Sequence, residues 1–258
     1  LISNHLNYNI NGKQLKIREI SFTEYKNMCK KLFTDDVNEL QAVFNEILSS
    51  TVIGPTLNCV EKFYCLLLIR NLLYGNEFAF QYNGINTTMD LKTILNAFKF
   101  TVNDVMVTDK NVEYHFNIPD NLYNPTIDRV IADSLKKVVV PTKEIECSTF
   151  SYEEKLTVIN NSNIPLQDTF NRLQNQFRQL NIPFIKDIEI DIITGTLLGF
   201  LKRVFNDNIG AIYNFEYVCI RSLNFGANDF DKYTLPELKI FLNSLKSEQS
   251  KSNNGQDS

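Results

Sequence analysis

Apolar and polar positions alternate through NYNINGKQLKIREI, with Asn11-Gly12 between the two runs. Alternation at a period of two predicts strands near 6–10 and 13–19, and Asn-Gly tolerates the positive φ angles of a two-residue hairpin turn. The period then changes. Ser21 and Glu24 have the spacing of a capping box and start a helix through TEYKNMCKKLF. Asp36 and Glu39 repeat that spacing ahead of a helix that lines up Val37, Leu40, Val43, Phe44, Ile47 and Leu48. Gly54-Pro55 ends it. Asn58 and Glu61 open CVEKFYCLLLIRNLLYG, which is apolar on nearly every side. Such a helix is expected at the centre of a fold, packed all round and stopped by a left-handed Gly75.

Further along, EFAFQYNG alternates like a strand, and TMDLKTILNAF predicts a strand end followed by a helix with Leu91, Ile94, Leu95 and Phe98 inward. TVNDVMVTDKNVEYHFNI predicts a hairpin around TDKN. PTIDRVIADSLKKV is expected to be helical with Thr126 as its cap, and VVVPTKEIECSTF extended. A helix starts at the Ser151–Glu154 pair, and another after Pro165 carries Leu166, Phe170, Leu173, Phe177 and Leu180 on one stripe. IPFIKDIEIDIITG suits an extended connector, and TGTLLGFLKRVFND a helix burying Leu197, Leu198, Leu201, Val204 and Phe205. From Ile209 the apolar positions Ile212, Tyr213, Phe215, Tyr217, Val218, Ile220, Leu223 and Phe225 exceed one stripe, so that helix should touch neighbours on two sides. Gly226 is expected to be its left-handed stop. Thr234 and Glu237 then cap a last helix with Leu238, Phe241, Leu242 and Leu245 inward.

The pattern therefore predicts an α+β fold, predominantly α-helical, with an N-terminal β-hairpin, a central hairpin insertion and a C-terminal helical hairpin. The expected divisions are 1–100 for the N-terminal hairpin and helices, 101–150 for a β-rich middle and 151–246 for a helical domain. A polar, disordered tail is expected over 247–258.

Composition narrows the function classes. The chain has 258 residues, 43% apolar and 22% charged, enough for a real core. A net charge of −4 lacks the basic footprint of a nucleic-acid binder. No run of about 20 apolar residues suggests a membrane span. The opening LISNHLNYNI has neither the basic n-region nor the long apolar core of a signal peptide, so none is expected there; it begins without Met, so the true start is expected upstream. The five cysteines are odd in number and never spaced Cys-x-x-Cys, so they are expected to be buried and reduced, as a cytoplasmic setting would keep them. With two histidines, zinc sites and Ser-His or Cys-His nucleophiles have little to be built from.

Three groups of residues invite a chemical reading. Alternation in KDIEIDI puts Asp187, Glu189 and Asp191 on one strand face, where carboxylates can hold Mg²⁺ or Ca²⁺, or simply face solvent or a partner. Asp229 and Asp231 lack calcium-loop spacing and suit a capped turn. Arg70, inside an apolar helix, needs an acidic partner, an exit to water or a protein interface. Gly195 and Gly199 in GTLLG lie in a helix and suit close helix packing better than a phosphate site. No phosphate loop, nucleophile elbow or Rossmann glycine pattern occurs. Among 30 Phe and Tyr (19 and 11), Tyr213, Tyr217 and Tyr233 are the candidate interface anchors, since tyrosine supplies area at little entropy cost.

The order of FNDNIGAIYNFEYVCIRSLNFG, an acidic-aromatic turn and YTLPELKIFLNSL resembles the C-terminal half of a family of baseplate proteins from T-even-like contractile-tailed bacteriophages. NGKQLKIREISFTEYKNM, FYCLLLIRNLLYGNEFAF and TTMDLKTIL resemble its N-terminal half, so the likeness covers roughly 1–100 and 190–245 with the middle poorly matched. Members are baseplate hub subunits or factors that assemble the hub. The resemblance implies a non-catalytic binding role, no cofactor, other tail and hub proteins as partners, and homo-oligomerisation as an option. It implies action in the host cytoplasm during assembly, with retention in the virion tail baseplate left open. Some members carry paired cysteines after the glycine-ended helix; NEFAFQYNGINTT has none, so no metal site is carried over. Rival readings are a small carboxylate-metal enzyme using Asp187, Glu189 and Asp191, and a host-directed adaptor.

Overall fold

The computed structural model describes residues 5–82, 85–180, 196–205 and 207–254. Its elements, in chain order, begin with β1 (His5–Ile10), β2 (Lys13–Arg18), α1 (Phe22–Lys31), α2 (Val37–Thr51), β3 (Val52–Ile53) and α3 (Cys59–Tyr74). Then come β4 (Glu77–Tyr82), β5 (Ile85–Asp90), α4 (Leu91–Ala97), β6 (Val105–Asp109), β7 (Val112–Phe116) and α5 (Ile127–Ser134). β8 (Leu135–Val140), β9 (Lys143–Glu146), α6 (Tyr152–Asn160), α7 (Leu166–Phe177), α8 (Thr196–Phe205), α9 (Ile209–Leu223) and α10 (Leu235–Asn254) complete the order. The fold is α+β and mostly helical, as the sequence pattern predicts. Two compact units emerge: 1–54 with 66–89 and 202–258, and 55–65 with 90–201, so that α3 and α8 each contribute residues to both.

In the first unit, β1 and β2 pair antiparallel, with Ile10 opposite Lys13 across the Asn11-Gly12 turn. Both turn residues have positive φ, 52° and 78°, as the Asn-Gly pair allows. Alternation buries Leu15 and Ile17. β2 also pairs with β3, which pattern reading misses because two residues are too short to show a period. Gly54 follows directly, and any side chain there would run into Leu15.

Arg18, on the same strand, sits at the start of α1. It donates to the Ser50 and Glu19 carbonyls and grips both carboxylate oxygens of Glu24 at 2.9 and 2.6 Å. Glu24 meanwhile accepts from the Ser21 amide, closing the predicted capping box. Burial would raise the Glu24 pKa, but the Arg18 and Ser21 hydrogen bonds outweigh it and hold the carboxyl below its ordinary value. The box expected at α2 forms only in part. Asp36 accepts from the Asn38 and Glu39 amides, while Glu39 takes the Thr34 hydroxyl instead of reaching back to Asp36. α2 buries Leu40, Val43, Phe44, Ile47 and Leu48, the expected face apart from its first residue. Gly75 ends α3 with φ 82°, as expected.

The stop after α9 differs from expectation. Asn224, not Gly226, takes the left-handed conformation (φ 55°, ψ 39°), and Gly226 stays at φ −88° while its amide donates to Asp229. Asn can occupy this region because its short polar side chain offsets the cost. Replacing Asn224 by glycine should leave stability within a few tenths of a kcal/mol, whereas valine should cost about 1–2 kcal/mol, read from urea midpoints. Asp229 also takes Lys232, the turn role its spacing suggests. Thr234 and Glu237 form the box at the start of α10. α10 then runs on to Asn254, through the polar stretch where a disordered tail was expected.

In the second unit, β6, β7, β8 and β9 form an antiparallel meander, beginning with the expected hairpin around Lys110. The helix expected through PTIDRVIADSLKKV stops at Ser134, where Leu135 enters β8, and Thr126 makes no side-chain cap. Pairing of Leu135, Lys137, Val138 and Val139 with β7 outweighs the helical tendency of the second half of that stretch. Asn58–Glu61 and Ser151–Glu154 both close as boxes. α7 buries Leu173 and Phe177, but Leu166 is exposed and Phe170 half-buried, so its stripe begins a turn later than expected. Among the described residues nothing lies within 4 Å of where a Gly199 side chain would begin, so close packing against them does not explain that glycine. None of the five cysteines forms a disulfide, and all five are buried.

Candidate functional site

The feature with the most unspent surface is one face of α9. Asn208 starts the helix by accepting from the Gly210 and Ala211 amides at 2.9 and 3.2 Å. α9 touches both α1 and α10, the two neighbours its width predicts. Those contacts bury Ile212 and Cys219 and set Phe215 against Phe22, ring centroids 5.6 Å apart. They leave Tyr213, Tyr217 and Ile220 exposed at 47%, 54% and 43%. The spacing i, i+4, i+7 puts these three on one stripe. The width of the apolar pattern thus exceeds what the neighbours cover.

Charged groups border the stripe. Lys26 of α1 pairs with Glu216, both largely shielded. Lys26 and Lys30 hold their ammonium groups 5.8 and 5.3 Å from the Tyr213 ring centroid. Arg221 donates to the Tyr217 hydroxyl oxygen at 2.9 Å, with its guanidinium carbon 5.7 Å from that ring. Cations thus lie against both exposed rings, where the ring quadrupoles attract them. Lys30 also lines a groove of about 350 Å³ between α1 and α2, floored by Ile20, Met28, Val43 and Ile47.

The other candidates lie elsewhere. Tyr233 is half-buried, stacked on Phe225 at 5.4 Å and edge-on to Phe241 at 5.2 Å, so it packs within the chain. Arg70 neither reaches water nor the surface. It is 6% exposed, donates to the Val204 carbonyl at 2.9 Å and lies 3.7 Å over the Tyr74 ring. Burial lowers its pKa to about 10, against the opposing influence of Cys29, whose own pKa burial pushes up to about 12. Below it, the Tyr74 hydroxyl donates to Tyr25 and Tyr25 to Asp207. Burial raises the Asp207 pKa against the pull of Lys239. This chain satisfies interior polar groups. Asp187, Glu189 and Asp191 lie outside the described residues. Among the described residues no group of His, Cys, Asp or Glu is placed to hold a metal ion. Nor is any described helix long and apolar enough to cross a membrane.

Sequence reasoning named Tyr213 and Tyr217 but missed Ile220, Lys26, Lys30 and Arg221. The Tyr217–Arg221 spacing of four was visible; the proximity of α1 was not.

A family model described as T4 bacteriophage base plate protein matches residues 3–192. The chain belongs to this family. In this baseplate protein the matched span takes in the middle segment, where the resemblance seen in sequence was poor, and ends before α9 and α10, where it seemed good. Neither a curated protein nor a solved structure matches the chain.

Proposed function

We propose that this baseplate protein is a hub subunit or a hub-assembly factor that acts by protein–protein binding, without catalysis or cofactor. The observation that carries the reading is the exposed Tyr213–Tyr217–Ile220 stripe on a helix already packed on two neighbours. Exposed tyrosines bordered by charge have the anatomy of binding hot spots, which commonly cost about 2 kcal/mol or more when truncated. Membership of a baseplate family supports partners among the other baseplate proteins; on this proposal they are met in the host cytoplasm during assembly, and the hub-subunit form stays in the tail baseplate.

The test is a phage carrying Tyr213→Ala and Tyr217→Ala. Each hot spot lost should weaken partner binding by about 30-fold or more, and the pair by up to about 1,000-fold, at roughly 1.4 kcal/mol per tenfold. Affinity purification from infected cells should lose hub proteins, and phage yield should fall, while the purified variant keeps the wild-type urea midpoint. Unchanged recovery of hub proteins would remove the face from the mechanism. Quantifying the protein in purified particles separates the two forms of the proposal: near-absence makes it an assembly factor, stoichiometric presence a subunit.

A further inference from the structure

We propose that the α9 face takes an acidic protein segment, whose carboxylates pair with Lys30 and Arg221 while an apolar side chain lies across Tyr213, Tyr217 and Ile220. This rests on the binding role above and names the partner's chemistry. The charge pattern carries it. Around α1, most cations are answered within the chain: Arg18 by Glu24, Lys26 by Glu216 and Lys31 by Glu46. Lys30 and Arg221 are not: among the described residues neither forms an ion pair, Lys30 lies against the Tyr213 ring and along the groove, and Arg221 lies against the ring and hydroxyl of Tyr217. In a chain of net charge −4, two cations left on one aromatic face select for negative charge opposite.

Two other occupants fit less well. A second copy docked face to face would bring Lys30 and Arg221 against their own kind. A nucleic acid would need a longer basic track than two cations, on a less acidic protein. From 213 to 220 the stripe is about 10 Å long at 1.5 Å per residue, the reach of two helical turns of a partner. The adjoining α1–α2 groove, which Lys30 also borders, offers Ile20, Met28, Val43 and Ile47 to an aliphatic side chain at the end of that segment.

The experiment replaces Tyr217 with photoactivatable benzoyl-phenylalanine in the full-length protein, irradiates infected cells and identifies the crosslinked peptide by mass spectrometry. The expected adduct is on another baseplate protein, at a peptide with at least two Asp or Glu within a turn or so of the attachment point. Lys30→Glu with Arg221→Glu should cut its yield by about tenfold or more, and Lys30→Arg with Arg221→Lys should largely preserve it. Circular dichroism on each purified variant confirms the fold. An adduct on a baseplate peptide that lacks carboxylates, or that survives charge reversal, overturns the acidic partner and leaves the hub role standing. An adduct on a host protein or on nucleic acid overturns both, and one on a second copy, or none from a folded protein, overturns the acidic partner.

Discussion

Phe22→Ala is expected to destabilise the first unit by about 3–5 kcal/mol, the usual cost of emptying a buried phenylalanine site. Phe22 is 0% exposed, with ring centroids 6.2 Å from Tyr25, 5.6 Å from Phe215 and 5.3 Å from Phe230. Its amide donates to the Tyr233 carbonyl at 2.9 Å, so backbone and side chain both join α1 to the segment between α9 and α10. The lost ring cannot be replaced by collapse, because the partners on each side are themselves aromatic and held by other contacts. Phe22→Leu refills most of the volume and should cost less than half as much. Urea unfolding followed by circular dichroism reads both, and a loss under about 1 kcal/mol for alanine would mean that α1 is not packed on α9 in this way. The variant should also lose partners, because it removes a contact that seats α9 on α1. The tyrosine double variant, by contrast, should lose partners at full stability.

The second large effect lies in the other unit. Asp133 is 3% exposed and accepts from the Asn121 amide at 2.7 Å, the Asn121 side chain at 3.1 Å and the Asn124 side chain at 3.0 Å. Beside it, Asp120 pairs with Lys136 at 2.8 Å and Lys155 at 3.3 Å, and its carbonyl accepts from Lys62. Together they fasten the connection between β7 and α5. Asp133→Ala strands those donors and should cost about 2–4 kcal/mol, since unmade buried hydrogen bonds carry their full desolvation penalty.

Asp133→Asn restores part of this and exposes a pH signature. Burial raises the Asp133 pKa more than the Asn121 and Asn124 hydrogen bonds lower it. A carboxyl whose folded pKa lies above its unfolded value adds stability when protonated. That contribution is full below the unfolded pKa and lost as pH rises through the folded one. The wild type should therefore gain stability relative to Asp133→Asn as pH falls from neutrality into the acidic range. Urea midpoints of the two proteins in matched buffers test it, and a gap that narrows on acidification contradicts the environment described.

Much of the fold was legible because its signals are local. The boxes at Ser21, Asn58, Ser151 and Thr234 involve atoms three residues apart, and the Asn11-Gly12 turn involves only its own φ angles. The buried face of α2 follows from periodicity and the all-round burial of α3 from the lack of a polar side, and both signals survive any arrangement that gives a helix a core to face. Of the candidate face, two aromatic positions on α9 were legible in sequence, and their spacing with Ile220 was present to be read.

What sequence alone determined about this protein is where the capped helices and the N-terminal hairpin start, which helix faces are apolar, and membership of a baseplate family. Only the tertiary structure decided that α5 yields to β8 after Ser134, that Asn224 turns left-handed in place of Gly226, and that Arg70 is interior while Tyr213, Tyr217 and Ile220 are exposed. The reason is common to all of them. Propensity and periodicity say how much apolar surface an element offers, but the number of neighbours, and the strand available for pairing, decide how much of it is covered.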